Sequence, residues 1–274
     1  MPGYPGERIA EISEELGYED RQVVEGEHFH LWVIEAPESL QKELPFPSIG
    51  LDVKYVKDLT PYRTRKVRIL NGAHTALVPV AYLYGIDTVR EAVEHPVVGK
   101  FIRDEVFEEI IPTLDLSKEE LEHFANEVMD RFRNPYIRHL LMSISLNSFS
   151  KFETRVLPSL LEYKSRMGAI PQRLVFSLAA TIAFYKGTRG EESIALNDDA
   201  HVLELAKNVW NKADGSKTSL HSLVSEVLAY EKVWKQDLNQ VEGLAGAIAS
   251  HLINIEQNGM KKAIEQLISV KELA

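Results

Sequence analysis

Lys66, Asn71 and His74 are the residues of this sequence whose types and spacing best suit chemistry at a carbonyl or alcohol group. An amine can exchange a proton, a side-chain amide can donate to a developing oxyanion, and an imidazole can bond a hydroxyl. Between Pro61 and Pro79 apolar residues recur at helical spacing, so one helix should carry all three. At about 100° per residue they fall within an arc of roughly 140° and could face one cleft. By themselves, however, three such residues are more often solvated or capping groups.

Gly72 and a run of basic residues give this helix further context. A glycine in mid-helix costs about 1 kcal/mol relative to alanine, which makes sense if another group must approach the backbone closely. An ordinary helix contact would explain it equally well. Residues 63–68, RTRKVR, place Arg65 beside Lys66 in an otherwise acidic chain. Such a cluster suits a carboxylate or a pyrophosphate, and a solvated helix face is an equally good interpretation.

The elements that must position these residues are almost all helical from residue 61 onward. Ser117 and Glu120 have the spacing of a capping box, and Asn134-Pro135 is a good helix stop. Besides the helix that carries Lys66, helices are predicted at about 96–111, 117–132, 136–146, 151–163, 172–186, 198–212, 219–229 and from 238 to the end.

The first sixty residues are mixed. A short helix is predicted at 7–16, and strands are predicted at 29–34 and 51–55. We therefore expect a mainly α domain over 1–274 with a small β element near the N-terminus, divided into a mixed entry segment, 1–60, and a helical part, 61–274.

Composition excludes several classes of function. The chain has 274 residues, 45% of them hydrophobic, which is enough for a sizeable core. Lys and Arg number 31 against 41 Asp and Glu, so nucleic acid is an unfavourable partner. There is no cysteine, which excludes disulfides, thiolate zinc sites and a cysteine nucleophile. Neither a secretory signal nor a membrane-spanning run is evident, so we expect a soluble cytoplasmic protein.

A dinucleotide-binding unit is missing from the sequence. Such a unit shows a strand, a Gly-x-Gly-x-x-Gly turn and a helix, and no window has that glycine spacing. Gly243 and Gly246 lie within a helical pattern, and no phosphate-binding Gly-Lys-Ser/Thr loop occurs. Any nucleotide cofactor must be held mainly by another domain.

The segment Lys66-x-x-x-Leu70-Asn71-Gly72-Ala73-His74-Thr75 resembles the signature of the mannitol dehydrogenase family, the long-chain polyol dehydrogenases. Segments 29–35 and 131–137 agree with it in order and spacing. Within the family, segments 3–5, 14–20 and 143–148 are most similar to the members that interconvert tagaturonate and altronate. The resemblance runs over essentially the whole chain.

This resemblance implies a fold and a division of labour. The fold would be the multi-helix C-terminal domain of 6-phosphogluconate-dehydrogenase-like enzymes. The family carries an N-terminal Rossmann domain, absent here, which would bind most of the NAD. The cofactor-binding residues of this chain are therefore unknown, and no metal is implied. Because part of the reaction centre would lie in that domain, we expect this chain to be inactive alone and to need the Rossmann domain, or another partner, over the exposed interface.

The resemblance also assigns roles to residues. Lys66 would be the general acid and base, Asn71 would bond the reacting oxygen, and His74 would position neighbouring hydroxyls of the sugar acid. Lys151 and Arg155, in the region that supplies cationic substrate contacts, would hold a uronate carboxylate together with Arg65. An ordinary solvated pair remains the alternative for Lys151 and Arg155.

Two other functions remain open from the sequence. A fructuronate/mannonate enzyme, or one acting on uncharged mannitol and fructose, would share the same motif. A catalytically silent helical interaction domain would keep the fold and use the exposed interface for assembly.

Overall fold

A computed structural model describes residues 8–24 and 29–272 of the chain. The chain divides into two compact units, Met1–Arg63 and Thr64–Ala274. The segment at residues 3–5 that contributes to the resemblance lies outside the described residues, as does Glu7 at the start of the first predicted helix.

The first unit contains the predicted short helix and both predicted strands. Its elements are α1 (Ile9–Leu16), β1 (Trp32–Glu35), α2 (Glu38–Glu43), a 3-10 turn (Phe46–Ile49), β2 (Val53–Val56) and the start of α3 (Thr60–Arg65). β1 and β2 pair in parallel, with Trp32 opposite Val53, and the Trp32 ring stacks on Phe46 at 5.7 Å. Each strand has four residues, which is shorter than predicted.

The second unit is helical, as predicted, apart from a short hairpin of two strands with two residues each. It contains π1 (Lys66–Gly72), α4 (Ala73–Tyr84), α5 (Val89–Glu94), α6 (Pro96–Asp104), π2 (Glu105–Ile110), a 3-10 turn (Ile111–Thr113), α7 (Lys118–Phe132), α8 (Leu141–Ile144), α9 (Ser148–Arg155), α10 (Leu157–Met167), α11 (Gln172–Phe184), β3 (Thr188–Arg189), β4 (Glu192–Ser193), α12 (Ala200–Lys212), α13 (Lys217–Leu228), α14 (Glu231–Trp234), a 3-10 turn (Leu238–Gln240) and α15 (Leu244–Glu272).

The core of this unit forms around α11. Every residue of α11 after Gln172 is buried, because α4 and α15 pack against it. A helix that is apolar around its circumference belongs in such a central position. None of the helices in the described part of the chain is both long and apolar enough to cross a membrane.

Besides the π segments, three predicted helices are shortened or interrupted in the structure. The one predicted from 238 to the end is α15, which begins at Leu244 and is interrupted at Gly259, where φ is 79° and ψ 158°. The helix predicted at 136–146 is wrong, since only Leu141–Ile144 is helical. Residues before it pair with another segment instead: the Val89 N–H donates to the His139 carbonyl, and Leu140 bridges Thr88. Tertiary pairing has overridden the helical periodicity.

The helix predicted at 151–163 is two helices. α9 ends at Arg155 and α10 begins at Leu157. Pro158, in the first turn of α10, has no backbone N–H and cannot continue the hydrogen-bond ladder of α9.

Candidate active site

π1 and α4 carry Lys66, Asn71 and His74 in an uninterrupted helical run, but the first part of that run is π-helical. The wider π turn, closed by i to i+5 hydrogen bonds, brings positions five apart closer to one face than an α-helix would. Lys66 and Asn71 have that spacing. Single π-helical turns occur frequently at functional sites.

The polar ends of Lys66 and Asn71 are free to meet a ligand. Lys66 is exposed and Asn71 is half-buried. Among the described residues, neither side chain forms a hydrogen bond or an ion pair, although the Asn71 carbonyl accepts from the Thr75 hydroxyl at 2.8 Å. Both groups therefore keep their full hydrogen-bonding capacity.

His74 lies in an aromatic and cationic environment. Its ring stacks on Phe132 with centroids 4.0 Å apart and meets His139 edge-on at 5.3 Å. Burial, followed by the nearby charges of His139, Arg155 and Arg131, lowers the pKa of His74 to about 3. The imidazole is therefore neutral near pH 7. Its Nε2 is buried without a hydrogen-bond partner in the described structure, as expected where a ligand would complete the site.

α9 brings Lys151 and Arg155 to the same region. The Arg155 guanidinium donates to the Thr75 hydroxyl at 3.4 Å, and the Lys151 ammonium donates to the Ile144 carbonyl at 2.7 Å. Burial is the main cause that lowers the pKa of each; for Lys151, the charge of Arg155 adds to it. Two partly buried cations one helical turn apart form a site of positive potential beside His74.

Gly72 allows this approach of α9. A Cβ atom on Gly72 would lie 3.2 Å from the backbone carbonyl oxygen of Arg155. The group that approaches the helix backbone closely is thus another helix of the protein.

Arg65, the third predicted substrate cation, is engaged within the protein. It is 4% exposed, donates to Glu120 at 2.7 Å and lies over the Phe124 ring at 4.3 Å. The pairing also explains why the predicted capping box is half formed: Ser117 accepts from the Glu120 N–H, while the Glu120 carboxylate binds Arg65.

Sequence reasoning missed the groups that surround these side chains. Phe132 and His139 contact His74, and Asp198 lies near Lys151. Phe132 falls inside the resemblance segment 131–137, which was one available signal for it. His139 and Asp198 have no comparable signal, since their relation to the site arises only on folding.

Two clefts in this unit are lined by other residues. One of about 260 Å³ lies against Arg68, Glu162 and Arg166, and one of about 400 Å³ lies between His95 and Arg133. Neither cleft is lined by Lys66, Asn71 or His74. No cluster of three or more potential metal ligands occurs in the part of the chain that the structure describes.

The mannitol dehydrogenase C-terminal domain family matches residues 58–256, which is most of the chain. The chain belongs to this family. Its predicted fold class, a mainly helical domain of the mannitol dehydrogenase type with small strands near the N-terminus, is confirmed.

Curated relatives are named altronate oxidoreductase. The protein from Bacillus subtilis (strain 168) is 49% identical over 266 residues, which cover 97% of this chain and 53% of the relative. The protein from Escherichia coli O9:H4 (strain HS) is 48% identical over 267 residues, covering 97% and 55%. The chain therefore spans about half the length of these relatives.

Solved structures share the fold at lower identity. Pseudomonas fluorescens mannitol 2-dehydrogenase, in a ternary complex with NAD and D-mannitol, superposes with a TM-score of 0.77 at 21% identity, over 98% of this chain and 52% of that protein. A substrate-free D-sorbitol dehydrogenase gives a TM-score of 0.73 at 21% identity, over 96% and 52%.

Proposed function

We propose that this chain forms the substrate-binding and proton-transfer part of an NAD-dependent oxidoreductase that interconverts tagaturonate and altronate. The observation that carries this proposal is the match of altronate oxidoreductases to 97% of the chain at 47–49% identity. The remaining part of the enzyme, by analogy with those longer relatives, would be a nucleotide-binding domain. That domain would be the principal partner of this chain.

Lys66 is the proposed general acid and base. Its exposed amino group, which has no hydrogen-bond partner in the described part of the chain, donates a proton to the keto oxygen in reduction and accepts one from the hydroxyl in oxidation. Proton transfer by a positioned group contributes about 10²–10⁴-fold to a rate. The Asn71 amide donates to the same oxygen as negative charge develops on it.

His74 and the cations of α9 orient the substrate in this proposal. Since the His74 imidazole is neutral, it binds a neighbouring hydroxyl and takes no part in proton transfer near pH 7. Lys151 and Arg155 hold the carboxylate that distinguishes a hexuronate from a neutral ketose. Arg65, already bonded to Glu120, adds positive potential.

Bound NAD would supply the hydride donor or acceptor. Within residues 8–24 and 29–272 there is no parallel strand followed by a glycine-rich turn and a helix that could hold its pyrophosphate. We therefore assign the substrate side of the reaction to this chain and no cofactor-binding residue.

Joining this chain to the remaining N-terminal part of the Bacillus subtilis altronate oxidoreductase tests the proposal. The chimera should oxidise NADH with tagaturonate, more efficiently than with fructuronate or fructose, whereas the chain alone should show no turnover. Lys66→Ala in the chimera should lower kcat by about 10²–10⁴-fold with an unchanged melting temperature. Lys118→Ala, which removes an exposed lysine of α7, is the matched control.

The outcomes separate the candidate functions. A folded chimera that does not turn over any of these ketoses would favour the catalytically silent interaction domain. A preference for fructuronate would change the proposed reaction to the interconversion of fructuronate and mannonate. Near-normal turnover of the Lys66→Ala chimera would show that Lys66 is not the general acid and base.

A further inference from the structure

α9, the helix that carries Lys151 and Arg155, is preceded by a residue in the left-handed conformation. Asn147 has φ 52° and ψ 48°, a region that asparagine enters more readily than other non-glycine residues. The Asn147 N–H donates to the Asn197 carbonyl at 3.0 Å, which fixes the turn to the segment that precedes α12.

The first turn of α9 is capped by a residue distant in sequence. α9 has no side-chain cap of its own, and the Ser148 N–H donates to the Tyr185 hydroxyl at 3.2 Å. Tyr185, at the end of α11, is 4% exposed, and its ring meets Phe149 edge-on at 4.5 Å. The start of α9 is thereby attached to the central helix.

Asp198 orients the Tyr185 hydroxyl. One carboxylate oxygen of Asp198 accepts from that hydroxyl, and the other accepts from the Asp199 N–H at 2.7 Å. Burial, and next the bond to Asp198, raise the pKa of Tyr185, so the phenol stays protonated and keeps donating. A polar chain therefore runs from Asp198 through Tyr185 to Ser148.

Asp198 also acts on Lys151 through charge. Burial and the charge of Arg155 lower the pKa of Lys151, and the charge of Asp198 opposes both. Two independent links, one through hydrogen bonds and one through space, thus connect this carboxylate to the lysine.

We propose that Asp198 is a positioning residue for Lys151, fixing the start of α9 through Tyr185 and offsetting the repulsion between Lys151 and Arg155 so that both can bind one carboxylate. The identity of that carboxylate, altronate or tagaturonate, rests on the proposed function above. The placement of Lys151 by Asp198 does not depend on it.

The purified chain, labelled with ¹³C at the lysine side chains, tests the placement without any substrate. In Asp198→Asn, which keeps an oxygen acceptor for Tyr185 and removes the charge, Lys151 should titrate at a lower pH than in the wild type. Asp199→Asn removes an equal charge from the neighbouring residue, whose side chain forms no hydrogen bond with Tyr185 in the described structure, and should leave the Lys151 titration unchanged. An unchanged Lys151 titration in Asp198→Asn, or an equal shift in both variants, would overturn the proposal.

Tyr185→Phe isolates the hydrogen-bonded link. It keeps the charge of Asp198 and removes the cap, so amide exchange at Ser148 should become faster while the Lys151 titration changes less than in Asp198→Asn. Unchanged exchange at Ser148 would overturn the assignment of Tyr185 as the connection.

Ligand binding to the same chains tests the functional consequence. Altronate should bind Asp198→Asn about tenfold more weakly than the wild type, equivalent to about 1.4 kcal/mol, while the uncharged hexitol altritol should bind both equally. An equal loss for both ligands would mean that Asp198 has only a structural role. If the wild-type chain binds neither ligand, substrate binding also needs the N-terminal domain, which the chimera described above supplies, and the Lys151 titration still decides the role of Asp198.

Discussion

The two π-helical segments, π1 and π2, share a backbone geometry and differ in the state of their polar side chains. In π1, Lys66 and Asn71 reach the surface and bond no described residue. In π2, Glu105 and Glu109 are 0% and 2% exposed. Glu105 accepts from the Ser177 hydroxyl at 3.1 Å through one oxygen, while its Oε2 is buried without a partner in the described structure. Glu109 accepts from the backbone N–H groups of Arg173 and Leu174 at the start of α11. These N–H groups have no acceptor within α11, because the first turn of a helix lacks intrahelical partners.

The difference shows what a π segment can and cannot indicate. In π2 the irregular turn serves packing, since it places a carboxylate at the N-terminus of the central helix. In π1 it leaves an amine and an amide without protein partners beside a buried, unpartnered imidazole nitrogen. The unpartnered polar groups that a ligand could reach, more than the backbone geometry, mark π1 as the candidate site, since the unpartnered Oε2 of Glu105 in π2 is enclosed.

The largest expected difference between the two segments is in stability. Arg173 is 4% exposed and bonds Asp104, Glu108 and Glu109 at 2.9, 3.0 and 3.3 Å. Arg173→Met leaves buried negative charge without this partner, and it should lower the free energy of unfolding by about 3–5 kcal/mol. Lys66→Met, at an exposed position of π1, should change it by less than about 0.5 kcal/mol.

Urea denaturation of the two variants measures this difference. Similar losses in both would mean that Lys66 of π1 is anchored as firmly as Arg173, the α11 partner of the π2 carboxylates, and that the comparison fails.

The sequence predicts most helices of the second unit because their periodicity and stop signals are local. It predicts π1 and π2 as ordinary α-helix, since an apolar period over a few turns does not distinguish an i to i+5 bond from an i to i+4 bond. The failure at 136–146 has a different cause: the bridge between Leu140 and Thr88 depends on residues about fifty positions apart.

The candidate site shows the same limit. Lys66, Asn71 and His74 are neighbours along the chain, so their common helix could be predicted from spacing. The neutral state of His74 depends on burial and on the charges of His139, Arg155 and Arg131, which only folding brings to this ring. Arg65 shows a further limit, because its adjacency to Lys66 in the sequence suggested a substrate contact but gave no sign of the bond between its guanidinium and Glu120.

Substitutions of glycine by alanine should change stability by intermediate amounts, and they extend the comparison between π1 and the rest of the helical unit. Gly→Ala at the exposed helical Gly246, where an added Cβ meets nothing within 4 Å, should stabilise the chain by about 1 kcal/mol. At Gly72 the Cβ would lie 3.2 Å from the Arg155 carbonyl, so the gain should be cancelled and α9 displaced. At Gly99 it would lie 2.3 Å from the Val93 carbonyl, and a loss of about 1–3 kcal/mol is expected.

Melting temperatures and altronate affinities of the three variants check this series. Only Gly72→Ala should weaken binding, because only Gly72 contacts the helix of Lys151 and Arg155. Weaker binding in Gly99→Ala of the same size would show that the effect comes from general destabilisation.

The smallest expected effect concerns the pH dependence of π2. Burial, and next the charge of Glu109, raise the pKa of Glu105 well above its ordinary value of 4.5. Above that ordinary value the unfolded chain releases a proton that the folded chain still holds, so folding stability is lost as the pH rises through this window. Glu105→Gln removes the ionisation and keeps an oxygen that can accept from the Ser177 hydroxyl, as Glu105 does at 3.1 Å.

The stability of Glu105→Gln relative to the wild type should therefore grow as the pH rises from about 5 to 8. Glu204→Gln, at an exposed position of α12, removes the same charge and should show no such growth. A constant difference between Glu105→Gln and the wild type would mean that Glu105 is ionised in the folded chain. In that case π2 would hold a second buried carboxylate charge beside Glu109.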